Sequence, residues 1–166
     1  MKIATFFALS LSLLLVSCAD YAINVNEKTV YNPLGVFTDF KVADLALQRC
    51  IDQTIKEERV RTAKDLKSLL CPEKSIETLS GLAIFTELKV LGLEGNPLKD
   101  IEVLNTLKHL EQLNLKNTGI SALTSLKEGP KLSYLNIEGN PKLNCETLVS
   151  VRFRDGAQVL KPQHCL

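Results

Sequence analysis

From residue 66 onward, apolar side chains return every 22 residues. The clearest unit carries Leu88, Leu91, Leu93, Asn96, Leu98, Ile101, Leu104 and Leu107. One period later stand Leu110, Leu113, Leu115, Thr118, Ile120, Leu123, Leu126 and Gly129. A further period gives Leu132, Leu135, Ile137 and Asn140, then Cys145, Leu148 and Val151. One period before the clearest unit come Leu66, Leu69, Cys71, Lys74, Ile76, Leu79, Leu82 and Phe85, degenerate but in register. A heptad or an ordinary amphipathic helix drifts out of such a register. A unit this short cannot bury its own leucines, so neighbouring units must stack to make a core.

Within each unit the alternation changes to a period of two. Leu91 and Leu93 alternate with Val90, Gly92 and Glu94. The leucines then point inward from a short strand and the other three outward. Each coil adds one strand to a parallel sheet. The pair Asn96-Pro97 recurs as Asn140-Pro141, and a proline biases the residue before it toward extended backbone.

This spacing resembles the leucine-rich-repeat pattern L-x-x-L-x-L-x-x-N-x-L, in its 22-residue, internalin-like class, over residues 66–151. The resemblance implies an α/β fold: a leucine-rich-repeat solenoid with a parallel sheet on its concave side. It also implies that asparagines at the Asn96 and Asn140 positions bond to backbone groups of their own turn and its neighbour, forming a ladder. Thr118 takes that position in the middle unit, where a hydroxyl offers fewer bonds than an amide.

Solenoid ends expose core and need covers. Asp39 to Ile55 reads as an amphipathic helix, with Asp39 as N-cap and Phe40, Ala43, Leu47, Cys50 and Ile51 near one face. Lys56 to Lys64 is charged and reads as a loop, and Thr62-x-x-Asp65 has the spacing of a capping box. Residues 39–65 therefore make an N-terminal helical cap. Cys50-Ile51 followed by Leu69-Leu70-Cys71 is similar to the N-terminal cap of bacterial repeat lipoproteins. Past residue 151 the leucine pattern stops, and residues 152–166 read as a C-terminal cap with a last strand through Ala157 and Val159.

Four cysteines, Cys50, Cys71, Cys145 and Cys165, allow three pairings. In a stack of coils, Cys71 and Cys145 stand more than three coils apart, roughly 15 Å at about 4.8 Å per coil. A disulfide needs Cα atoms within about 7 Å. Stacking therefore selects Cys50–Cys71 and Cys145–Cys165, each closing a loop of about 20 residues and contributing about 3 kcal/mol in the chain-entropy model.

The N-terminus reads as an export signal. Lys2 precedes an apolar run from Ile3 to Val16, shorter than the roughly 20 residues that span a bilayer. The run ends in Leu15-Val16-Ser17-Cys18, which looks like a bacterial lipobox, in which cleavage precedes the cysteine and its thiol is acylated. Residues 1–17 are then a signal peptide and Cys18 the lipidation site. Residues 18–38 form a lipid-anchored tether, with Val36-Phe37 touching the cap helix; an ordered strand through Tyr21-Ala22-Ile23 is the contrary reading. Ser17-Cys18-Ala19 also passes as an ordinary small-x-small cleavage site. Ala19 after the cysteine permits sorting to the outer membrane, by resemblance to Gram-negative lipoproteins.

Removing residues 1–17 takes away only Lys2 among the charged residues, leaving basic and acidic side chains equal in number. Such a balance argues against nucleic acid and against a polybasic membrane patch as partners. No H-E-x-x-H, C-x-x-C, G-x-S-x-G or phosphate loop occurs, and no cofactor is expected. Of the two histidines, His109 precedes an inward leucine and reads as an exposed turn residue, and His164 neighbours Cys165. Glu94 and Glu138 lie two coils apart, a spacing loosely like an inverting glycosidase pair, but Lys116 falls between them and the solvated-face reading prevails.

The outward concave positions are the better site. Val90, Glu94, Gln112, Asn114, Lys116, Tyr134, Asn136 and Glu138 are the candidate partner-binding residues, with Gly92 among them and Ser68 and Leu70 on the first strand. Tyr134 is the lone aromatic, and aromatics supply large contact area at low entropic cost. The expected function is an envelope lipoprotein presenting a module for protein–protein contact, anchored in the membrane by its lipid. A periplasmic inhibitor or regulator of an enzyme would use the same face, and a hydrolase on a repeat scaffold is the third reading, which would need an acid, base or nucleophile set that the motifs do not supply.

Overall fold

The computed structural model describes residues 35–166, together with the backbone of Ile23–Val25 and Lys28–Tyr31. The signal peptide and Cys18 lie outside the described residues. Two compact units are present, residues 1–34 and 35–166. In the first, β1 (Ile23–Val25) pairs antiparallel with β2 (Lys28–Tyr31). Ordered pairing thus occurs inside the stretch read as a tether.

The second unit is a stack of coils. Five strands, β3 (Ser68–Leu70), β4 (Val90–Gly92), β5 (Gln112–Asn114), β6 (Lys131–Asn136) and β7 (Arg152–Leu160), lie side by side in chain order, all parallel. Leu69, Leu91, Leu113 and Leu135 stand in one row across the sheet, 22 residues apart. Short 3-10 turns at Leu82–Ile84, Glu102–Thr106, Thr124–Leu126 and Cys145–Ser150 carry the chain back to the next strand. All four inward leucines of the row are essentially solvent-free. So are Leu88, Leu93, Leu104, Leu107, Leu110, Leu115 and Leu132. Each such side chain contributes about 1.5–3 kcal/mol by burial. Phe85 fills the place of a leucine in the first coil, fully buried.

The turn after each strand repeats as well. Glu73, Gly95, Asn117 and Gly139 all have positive φ, at 50°, 70°, 54° and 68°, one per coil. Glycine enters that region freely and asparagine more readily than most residues.

The N-terminal cap is a single helix, α1 (Leu45–Glu58), laid on the first coil with Leu47, Cys50, Ile51 and Ile55 inward. It begins later than Asp39, and its N-cap is Asp44. The reason is tertiary. One Asp44 oxygen accepts from the Ala46 and Leu47 amides at 2.8 and 3.0 Å, and the other from Glu77 and Thr78 of the first coil at 2.8 and 3.3 Å. Asp39 is exposed and caps nothing, and Ala43 is exposed too. The helix also runs past Ile55, through Lys56 to Glu58, before the loop begins. The expected Thr62–Asp65 capping box is formed around the turn at Ala63–Asp65.

The segment before α1 is packed, not extended into solvent. Phe37 stacks on Phe40 at 5.4 Å between ring centroids, and both meet the edge of Phe85, at 6.3 and 5.4 Å. The Phe37 amide donates to the Val60 carbonyl just beyond the helix. Both disulfides form as stacking requires. Cys50 and Cys71 tie α1 to the first strand, with Cα atoms 5.9 Å apart. Cys145 and Cys165 tie the 3-10 segment Cys145–Ser150 to the chain after β7, at 5.4 Å.

At the C-terminal end the period breaks. Adding 22 would set Ala157 against Leu135, yet Leu135 faces Val159 and Tyr134 faces Gln158. Leu132 faces Phe153, so residues 154–157 bulge out against Ser133, with Gly156 at φ 73°. A bulge absorbs the extra residues.

Candidate functional site

The concave sheet is built by register. Ser68, Val90, Gln112, Tyr134 and Gln158 form one outward row. Leu70, Gly92, Asn114, Asn136 and Leu160 form the next. Glu94, Lys116 and Glu138 follow just past the strands. Parallel neighbours stand about 4.8 Å apart, so Gln112, Tyr134 and Gln158 can touch one partner together. Gln112 and Gln158 are exposed, and Val90 and Tyr134 half-buried.

The second row is a floor more than a contact surface. The Asn136 side chain is 94 % buried, its exposure being 6 %. Its Oδ1 accepts from the Glu138 amide at 3.0 Å, and Asn114 accepts from Lys116 in the same way at 3.1 Å. Both amides thereby hold the backbone as it leaves the strand. Asn136 is therefore withdrawn from the group of outward side chains that a partner can touch. Leu70 is the opposite case, a large apolar side chain 60 % exposed. Gly92 makes room for it, because a Cβ there would come within 2.8 Å of the Leu70 Cδ2.

Charges on this face are already engaged. Lys116 pairs with Glu138 at 3.6 Å, and Glu94 accepts from the Asn114 amide at 3.3 Å. Lys116 lies between the two carboxylates in coil order and is paired with one of them. On the flank where the strands begin, Glu111 bridges Lys89 and Arg154 at 3.4 and 3.5 Å, and Glu87 meets Lys67 and His109. Exposed pairs of this kind contribute little to stability. Gln158 had no signal in the period, since β7 enters the sheet out of step with it.

The ladder lies behind the strands. Asn96 is fully buried; its Oδ1 accepts from the amides of Lys74 and Ile76, both at 3.0 Å. Its Nδ2 donates to Cys71, Leu93 and Glu94 carbonyls. Asn140 repeats this toward Thr118 and Gly119 amides and the Leu115, Ile137 and Glu138 carbonyls. Thr118 donates its hydroxyl to the Leu115 carbonyl at 2.7 Å, within its own coil, with Asn140 Oδ1 at 3.3 Å, and it is its backbone carbonyl, accepting from the Leu98 amide at 3.1 Å, that reaches the Asn96 coil.

A family model for leucine-rich repeats in two copies matches residues 86–128. The coils have the leucine-rich-repeat fold. Among solved structures, an internalin (inlF) from Listeria monocytogenes is similar at 18 % identity with a TM-score of 0.50, over 70 % of this chain and 37 % of that one. An internalin C2 (inlC2) from the same organism aligns at 15 % identity and a TM-score of 0.39, over 73 % of this chain and 65 % of that one. The chain thus spans less than two thirds of either neighbour. No curated protein matches the sequence. Leucine-rich-repeat scaffolds of this kind are suited to protein contact through a concave sheet. Among the described residues, no helix is long and apolar enough to cross a membrane.

Proposed function

We propose that the chain is a cell-envelope lipoprotein whose leucine-rich repeats bind a protein partner through the concave sheet, with Tyr134 as anchor. The supporting observation is the register that sets Gln112, Tyr134 and Gln158 side by side on the outward face, above a floor of braced amides. An aromatic between two amides combines apolar contact area with hydrogen-bonding groups, the composition of an interface hot spot. The exposed Leu70 adds an apolar contact at the N-terminal end of the same face. The scaffold binds rather than catalyses.

The membrane anchor in this reading is a lipid on Cys18, in the outer membrane. Its support is sequence: the apolar run, Leu15-Val16-Ser17-Cys18, and Ala19 after the cysteine. Two local disulfides fit an oxidising compartment outside the cytosol. Labelling cells with a fatty-acid probe tests the anchor; label that persists in Cys18→Ser refutes it. A photocrosslinker placed at Gln112 tests the face. One discrete adduct, lost on Tyr134→Ala and absent when the crosslinker sits at His109, is the expected result. Adducts from His109 alone would move the interface to the flank.

A further inference from the structure

The two disulfides have different surroundings. Cys50, in α1, and Cys71 are buried, with the Leu70 carbonyl 3.5 Å from the Cys50 sulphur. Cys145 and Cys165 are half-exposed, and His164 stands beside them, exposed. A ring nitrogen of His164 and the two sulphurs all lie within 4.8 Å of one another. The Leu143 carbonyl holds the ring there, 3.0 Å from Nε2, and the Cys145 sulphur is 3.8 Å from the same oxygen.

From this cluster we propose that the C-terminal disulfide masks a metal site, and that on reduction Cys145, His164 and Cys165 bind one zinc-class divalent ion. Two thiolates and an imidazole are a zinc ligand set, with Zn–S about 2.3 Å and Zn–N about 2.0 Å in tetrahedral geometry. Ligand atoms around such an ion sit roughly 3.5–3.8 Å apart by that geometry. The two sulphurs, joined in the disulfide, must therefore separate to that spacing, which only a broken S–S bond permits. Cys165 lies in a short 3-10 turn, Gln163–Cys165.

The chemistry balances. A dithiol reductant gives two electrons and two protons to the Cys145–Cys165 bond and becomes a disulfide itself. The S–S bond breaks and two thiols form. The ion then displaces both thiol protons and gains two metal–sulphur bonds and one metal–nitrogen bond. A fourth position stays open to water. The Cys50–Cys71 pair has no such third ligand close by, since among the described residues the one group of this kind is at Cys145.

Cobalt(II) reports the site, because thiolate ligands give it a charge-transfer absorption that water and carboxylates do not. The full chain is reduced with a phosphine that does not chelate metals, titrated with cobalt(II), and then displaced with zinc(II) against a chelating dye. One equivalent should bind to the reduced chain, with the thiolate band, and none to the oxidised chain. His164→Ala leaves the disulfide and the fold in place, and should weaken binding at least about tenfold. Cys145→Ser with Cys165→Ser should abolish the band while circular dichroism keeps the repeat signal. Unchanged affinity in His164→Ala, a band retained in the double variant, or equal binding by the oxidised chain would each overturn the proposal.

Discussion

The side-chain amide of Asn96 donates to the carbonyl of Cys71, one coil earlier, at 2.7 Å. Cys71 is in turn bonded to Cys50 of α1. One buried amide therefore links the turn of the second coil to the N-terminal cap. Asn96→Ala would strand the buried Ile76 amide and the Cys71 carbonyl, and each orphan costs about 1–3 kcal/mol. Denaturant unfolding should show a loss of about 3 kcal/mol. Thr118→Ala removes the hydroxyl's bond to the Leu115 carbonyl and its longer contact with Asn140 Oδ1 at 3.3 Å, an oxygen that keeps two backbone amides, and should lose about 1 kcal/mol. Equal losses at the two positions would refute the inter-coil role of the amide.

Leu113 faces Leu91 on one side and Leu135 on the other, in one row of the sheet, and is fully buried. Leu113→Ala opens a cavity between coils that neither neighbour can fill without leaving its own strand. The expected cost is about 2–5 kcal/mol by thermal or denaturant unfolding. A neutral result would mean that the side chain does not face the core.

Asp44 makes stability depend on pH in the acid range. Burial alone would raise its pKa, but the amides of Glu77, Leu47, Thr78 and Ala46 outweigh this and hold the carboxyl below its ordinary value. The folded state then binds fewer protons than the unfolded one between the depressed value and the ordinary one, near 3.9. The contribution is thus complete above about pH 4–5 and fades as pH falls through the depressed value. At neutral pH, Asp44→Ala should lose about 1–2 kcal/mol as a cap. The gap between wild type and variant should narrow as pH drops below about 4. A gap that widens there would reverse the assignment.

The same residue shows what sequence could and could not reveal. Leu66 to Val151 was legible because inward side chains in a stack must repeat, and the asparagine ladder followed from the resemblance to leucine-rich repeats. Asp39 and Asp44 look alike as N-caps; the choice rests on amides of Glu77 and Thr78, more than thirty residues away. Asn136 occupies an outward position, yet its amide folds back onto Glu138 and is buried, a local bond that alternation does not encode. Gln158 joins the site only because β7 bulges, and nothing in a period of 22 announces a departure from it.

Tyr134 stands between Gln112 and Gln158 in register, half-buried, while its neighbour Leu135 fills the core. Truncating it removes contact area from the face and opens no cavity beneath. Partner affinity should therefore fall by at least about 2 kcal/mol in Tyr134→Ala, as at a hot spot. Folding stability should change by less than about 1 kcal/mol. Lys116→Glu sets a second carboxylate beside Glu138, where the native ammonium now sits at 3.6 Å. Against an acidic partner it should weaken binding further, and added salt should shrink the effect. His109→Ala is the control, since that ring is exposed on the flank near Glu87 and not on the concave sheet. Calorimetry of the three variants against the crosslinked partner reads all of this at once. If His109→Ala abolished binding and Tyr134→Ala left it intact, the interface would lie on the flank, with the repeat fold unaffected.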